Sequence, residues 1–167
     1  MGKDTSNNKI WHKIIKKFNQ AKFDYVLVGG AALVIHGLPR STIDIDIYIP
    51  AKEEVLHKLF DIAHSLGLKS RQKSILAISH YPNLFVDQWI CFSYKGQDIL
   101  DVFFSGEKEF NKLYKASERR KDKTISIRVA CLNDIIKMKK NTGRPIDLAD
   151  IELIKEIKNT KHKRKNT

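Results

Sequence analysis

The sequence is short of cysteine, of long apolar runs and of negative charge, and each shortage removes a class of protein. Its two cysteines, Cys91 and Cys131, lie far apart and form no CxxC pair. Neither a disulfide framework nor a cysteine-based zinc site is therefore expected. Both stand among apolar neighbours and are expected to be buried free thiols. The longest apolar stretch, Tyr25 to Ile35, is interrupted by Gly29 and Gly30. It falls well short of the roughly 20 residues that span a bilayer. No charged-then-apolar leader pattern opens the chain, so the expected compartment is the cytoplasm, with no membrane association. Internal repeats and long linkers are absent as well. The length of 167 residues suits one domain, expected over 1–160. The basic tail 161–167 has no apolar residue and is expected to be disordered.

What is present is an ordinary globular composition, 42% hydrophobic and 30% charged, with a strong positive excess. Lys and Arg number 31 against 19 Asp and Glu, a formal charge of +12. Such a balance favours an anionic partner, nucleic acid or a polyphosphate. A lysine excess of this kind also arises from low-GC coding, so charge alone leaves both readings open. The basic residues cluster at Arg119-Arg120-Lys121, at Lys137-Lys139-Lys140 and in the tail.

The apolar pattern predicts an order α-β-α-β-α-β-β-α-β-α-α, a mixed α/β or α+β domain. Ile10, Trp11, Ile14, Ile15 and Phe18 recur at helical spacing, with Ser6 as a possible cap. Phe23 to Val28 reads as a strand ended by Gly29-Gly30, and Ala31 to His36 as a short helix closed by Gly37. Ile43 to Ile49 alternates strictly, with Asp44, Asp46 and Tyr48 on the polar face. Glu53 to Leu66 is helical in pattern. Leu84 to Tyr94 and Asp98 to Phe104 read as strands joined by a turn at Lys95-Gly96-Gln97. Glu107 to Ala116 reads as a helix and Thr124 to Val129 as a strand. Helices over Leu132 to Lys140 and Ile146 to Ile157 close the domain.

The chemistry concentrates on three acids. Asp44 and Asp46 are two apart in a strand, so their carboxylates share a face. Adjacent carboxylates repel, and one pKa rises unless a cation lies between them. Hard oxygen ligands beside a phosphate suit Mg²⁺. Asp101 sits inside an apolar and aromatic run, where an acid is costly unless paired or bound to metal. A solvent-facing edge strand would also tolerate Asp44 and Asp46, so the surrounding sequence must decide. Upstream, Val28-Gly29-Gly30-Ala31 is a strand-to-helix turn whose glycines let a backbone approach phosphate. It is neither a Walker loop nor a Gly-x-Gly-x-x-Gly fingerprint.

Gly29-Gly30, Arg40-Ser41-Thr42, Asp44-Ile45-Asp46-Ile47 and a later strand bearing Asp101 together resemble the signature of the DNA polymerase β-like nucleotidyltransferases. Gly29 to Leu33, His36-Gly37, Arg40, Thr42 and Lys139 to Ile151 are similar to the branch of AbiEii-like type IV toxins. The likeness covers roughly Tyr25 to Leu153. It departs at Gly30, where many members carry serine. The resemblance implies a mixed sheet flanked by helices. It implies that Asp44 and Asp46 hold two Mg²⁺ ions, with Mn²⁺ as a substitute, and that Asp101 completes the site activating the attacking hydroxyl. Gly29 and Gly30 would cradle the β- and γ-phosphates. Arg40 and Thr42 would contact triphosphate or acceptor, and Lys139 and Arg144 would neutralise phosphate charge. The implied reaction moves an NMP from an NTP to a hydroxyl, releasing pyrophosphate. The acceptor would be RNA, such as a tRNA end, and an antitoxin protein could be a partner. A small-molecule antibiotic acceptor and a non-catalytic nucleotide- or RNA-binding module are the alternatives.

Among the remaining residues, His36 is expected to cap carbonyls rather than act as a base. Lys139 could equally belong to a solvated basic face beside Lys137 and Lys140. Asp147 and Asp150, three apart on a helix, are expected to hold Arg144 or cap. Trp11, Trp89, Phe103 and Phe104 are expected to be core residues.

Overall fold

The computed structural model describes residues 4–72, 75–121 and 124–165. The first helix, α1 (Asp4–Gln20), buries Ile10, Ile14, Ile15 and Phe18 on one stripe. It already runs through Ser6, so that residue lies inside the helix instead of capping it. Phe18 then packs on Phe23 and Tyr25, with ring centroids 4.9 and 5.0 Å apart.

Strand β1 (Val26–Val28) leads directly into α2 (Gly29–Ile35). Strand β2 (Ile45–Pro50) follows, then α3 (Glu53–Ser65) and the short β3 (Lys69–Ser70). Two 3₁₀ turns follow, Ile75–Ile78 and Pro82–Phe85, and the second takes up the start of the strand expected from Leu84. Proline at 82 supplies no ladder donor, and Asp87 turns the chain with φ +63°. Strand β4 therefore begins only at Trp89 and runs to Tyr94. Lys95 and Gly96, both with positive φ, form the two-residue turn into β5 (Gln97–Ser105). The chain continues through α4 (Glu107–Ala116), β6 (Glu118–Lys121), β7 (Ser126–Val129), α5 (Leu132–Thr142) and α6 (Pro145–Lys165). Gly143, at φ +62°, ends α5 in the left-handed conformation a helix stop requires.

The described strands form one mixed sheet in the order β3-β4-β5-β2-β1-β7-β6. Strand β2 is antiparallel to β1 and parallel to β5. This is the mixed α/β architecture that the hydrophobic pattern predicts, with the sheet flanked by helices as the resemblance implies. One sheet face carries Ile45, Ile47, Ile49, Leu100, Val102, Phe104, Ile90 and Phe92, all buried. Phe60 of α3 meets Phe92 edge-on at 5.4 Å. The main core lies there, and each of its large side chains contributes roughly 1.5–3 kcal/mol by burial.

Two segments depart from expectation. Strand β6 is a run of exposed charges, Glu118 to Lys121. It carries no apolar alternation and joins the sheet by backbone pairing, as charged edge strands do. Helix α6 continues to Lys165, into the tail expected to be disordered. No glycine or proline follows Pro145 to break it, and lysine is a good helix former. Residues 166 and 167 of that tail lie outside the described residues. No helix among the described residues is long and apolar enough to cross a membrane.

Candidate functional site

The second face of the sheet carries the chemistry. Asp46 on β2 and Asp101 on β5 are register partners on adjacent parallel strands. Strand spacing alone brings their backbones within about 4.8 Å. Asp44 lies in the bend just before β2, not in the strand. Thr42 fixes it by donating its hydroxyl to the Asp44 carbonyl and to Oδ1, both at 3.1 Å.

Gly29 is required twice over. Its φ of +64° favours glycine, and an added Cβ would lie 1.8 Å from Oδ2 of Asp46. The first residue of α2 is thus pressed against the middle carboxylate. At Gly30 an added Cβ would meet Cβ and Oγ1 of Thr42 at 3.0 Å each. A serine there would crowd the residue that holds Asp44.

The carboxylates are electrostatically uncomfortable as they stand. Burial, then the charges of Asp44 and Asp101, push Asp46 up to about 7, against the opposing pull of Lys139 and Arg144. Asp101 is also raised, by burial first and by Asp44, although the Cys91 thiol donates to it and works the other way. Cys91, register partner of Asp101 on β4, is itself pushed up to about 12 by burial and by that acid. It is a buried free thiol as expected, whereas Cys131 is only partly buried and donates to Asp134 at 3.2 Å.

Such a cluster fits a hard divalent cation, which would relieve the repulsion that raises Asp46. Among the described residues no three His, Cys, Asp or Glu side chains close as a self-sufficient metal cage. Magnesium sites that act on phosphates complete their shells with water and substrate oxygens, so two or three carboxylates suffice.

Helices α5 and α6 stand beside these acids. A cavity of about 240 Å³ opens between them and the sheet, lined by Gly29, Asp46, Tyr48, Phe103, Met138, Lys139 and Arg144. A cavity of about 300 Å³ elsewhere, lined by Tyr25, Tyr114 and Arg128, holds none of the clustered acids. Chemistry, not volume, selects the site.

Lys139 does not lie on a solvated face. It is 8% exposed and donates to Asp147 and Asp150, both at 2.8 Å. Asp147 also accepts from Arg144 Nε and from Thr142, each at 2.7 Å. Burial pushes Asp147 up, but these donors outweigh it and hold the carboxyl well below the usual range. Asp150 pairs at 3.1 Å with Nε of Arg40, although that N–H is not aimed at an acceptor. One network thus links Arg40, on the loop before β2, to Arg144 at the start of α6. The structural role expected of Asp147 and Asp150 holds, and it extends to Lys139. Arg144 remains largely open, with 68% of its side chain exposed. His36 sits at the end of α2 and hydrogen-bonds the Ala130 carbonyl at 2.8 Å, tying α2 to the end of β7.

Two expectations about aromatics are corrected. Trp89 is 51% exposed, and Phe103 lies on the same face as Asp101 while Phe104 is in the core. Alternation along β4 and β5 carried this signal, but only the register shows which side faces the acids.

No curated protein matches this chain by sequence. Its fold is similar to that of a Thermotoga maritima protein with a provisional nucleotidyltransferase assignment. That pair shares 15% identity and a TM-score of 0.59, over 94% of this chain and 95% of the other. It is also similar to an antigenic nucleotidyltransferase-like protein from Paracoccidioides brasiliensis. There the identity is 13% and the TM-score 0.54, over 90% of this chain and 76% of the other. At these identities the likeness concerns the fold. The family follows from the sequence itself: residues 9–161 match the family described as nucleotidyltransferase of unknown function (DUF6036), and the chain belongs to it.

Proposed function

We propose that the protein is a divalent-metal-dependent nucleotidyltransferase that moves an NMP from an NTP to a hydroxyl of RNA, with a tRNA end as the foremost acceptor. The observation that carries this reading is the in-register pair Asp46–Asp101, with Asp46 pressed on a glycine that tolerates no side chain.

In this reading Asp44 and Asp46 hold two Mg²⁺ ions and Asp101 holds one of them. Held there, the ions would supply charge neutralisation at the phosphates and a lowered pKa for the attacking hydroxyl. Gly29 and Gly30 offer a backbone bare of side chains to the β- and γ-phosphates. Thr42 keeps Asp44 in place and faces the triphosphate with Arg40. Arg144, open to solvent and felt electrostatically by Asp46, neutralises phosphate charge. Lys139 contributes its charge from within the buried network. The acceptor hydroxyl loses its proton to solvent, its oxygen forms a bond to the α-phosphorus, the α–β bridging bond breaks, and pyrophosphate leaves with the electron pair. Positioning and charge stabilisation account for most of the rate.

The formal charge of +12 favours a polyanionic acceptor over a cationic drug. The AbiEii-like wording of the motifs points the same way and would make an antitoxin protein a partner.

The test is incubation with Mg²⁺, each α-³²P-labelled NTP in turn, and total tRNA, beside an Asp44→Ala control. Label on tRNA with the native protein alone is the expected result. Magnesium-dependent NTP binding without transfer to RNA would redirect the reading to a small-molecule acceptor. Absence of NTP binding would leave a non-catalytic module.

A further inference from the structure

Beside the row of acids runs a row of rings. Tyr48, Phe103 and Trp89 follow Asp46 and Asp101 and precede Cys91 by two residues on β2, β5 and β4 respectively, so they share the sheet face with the carboxylates. Tyr48 and Phe103 stack with centroids 5.4 Å apart and planes 18° apart. Trp89 and Phe103 stack at 6.4 Å and 29°. The row is graded in exposure. Tyr48 and Phe103 are half-buried and line the cavity that also contains Gly29 and Asp46. Trp89, at the far end, leaves half of its surface open.

Cross-strand aromatic pairs do stabilise sheets, but that role does not call for an exposed indole at the end of the row. Position assigns the two ends differently. Tyr48 lies on the strand next to β1, whose end carries Gly29. Trp89 lies on the opposite side of Asp101, the acid placed at the attacking hydroxyl. We propose that Trp89, backed by Phe103, is the stacking platform for the terminal base of a single-stranded RNA acceptor, an inference that rests on the nucleotidyl-transfer reading above. Two strand residues span about 7 Å. A nucleotide stacked on the indole therefore holds its ribose over the Asp101 row. Stacking on tryptophan is indifferent to base identity and suits a strand end that presents its last ring to solvent. The positive charge of the chain supplies the sequence-independent attraction for phosphate that accompanies such platforms.

The experiment has two arms. In a Trp11→Phe protein, Trp89 is the sole indole. Titration without NTP with a short single-stranded RNA should quench its emission, and a blunt RNA duplex or an RNA ending in an abasic ribose should quench it far less. In the native background, Trp89→Ala should raise the KM for the RNA acceptor about tenfold, and Trp89→Phe should raise it much less. The KM for NTP should stay the same in both variants. Equal quenching by the abasic RNA would overturn the proposal. So would an unchanged acceptor KM in Trp89→Ala, or a rise confined to the KM for NTP, which would give the row to the incoming nucleotide. These outcomes leave nucleotidyl transfer itself standing. If the native protein transfers nothing, the fluorescence arm still decides whether Trp89 takes the RNA end.

Discussion

Gly29 and Asp46 touch so closely that a methyl group on the glycine would lie 1.8 Å from the carboxylate oxygen. The turn from β1 into α2 and the central acid of β2 are therefore one unit, and neither can shift alone. Gly29→Ala must displace Asp46 and also hold an L-residue at φ +64°, which costs about 1–2 kcal/mol by itself. The variant should melt a few degrees lower, as about 1 kcal/mol gives at this size. Nucleotidyl transfer should fall much further, by about a hundredfold, because a displacement of about 1 Å is costly at a reacting centre. A variant with native activity would show that the contact has no bearing on catalysis.

The raised pKa of Asp46 sets a pH dependence of known sign. Burial and the neighbouring acids place it at about 7 in the folded protein, against 3.8 unperturbed. Between those values the folded state binds the extra proton, so this group's contribution to stability falls as pH rises through the interval. A divalent ion needs the deprotonated form and relieves the repulsion. Mg²⁺ should therefore raise Tm more at pH 8 than at pH 6, and its binding near pH 7 should release protons. Thermal melts with and without Mg²⁺ at the two pH values check this. A stabilisation independent of pH would mean that Asp46 is not the ion's ligand.

Much of this arrangement was legible in the residues. The alternation of Ile43 to Ile49 located the acidic strand, the Gly29-Gly30 step located the turn, and Lys95-Gly96 located the hairpin. Local chemistry set each of these. What sequence could not supply was register and coverage. Nothing in the strand of Trp89 says that Cys91 pairs with Asp101, or that the indole stays open. Lys139, flanked by Lys137 and Lys140, looks like a solvated cation until α6 brings Asp147 and Asp150 against it. Strand β6 carries only charge, and its pairing to β7 is a matter of backbone geometry.

The Lys139 network makes its own prediction. Removing the lysine leaves Asp147 with Arg144 and Thr142 and leaves Asp150 with Arg40 alone. Breaking a buried pair in this way costs about 3–5 kcal/mol. Lys139→Met should unfold at clearly lower urea concentration, whereas Arg144→Met, at an exposed side chain, should keep nearly native stability and lose affinity for NTP. A stable Lys139→Met protein that is weak only in NTP binding would make Lys139 a direct phosphate ligand instead.

Nucleotidyl transfer at this site requires the charges of Asp46 and Asp101 to hold the ions. The direct measurement is pyrophosphate release against α-label transfer, in Mg²⁺ with RNA, for the native protein, Asp46→Asn and Asp101→Asn. The amides keep the shape of the site and remove the charge that holds the ions. The native protein should release one pyrophosphate per label transferred, and both variants should lose turnover by several orders of magnitude while remaining folded. Turnover that survives in either folded variant would contradict the assignment of these acids, and with it the reading of the site.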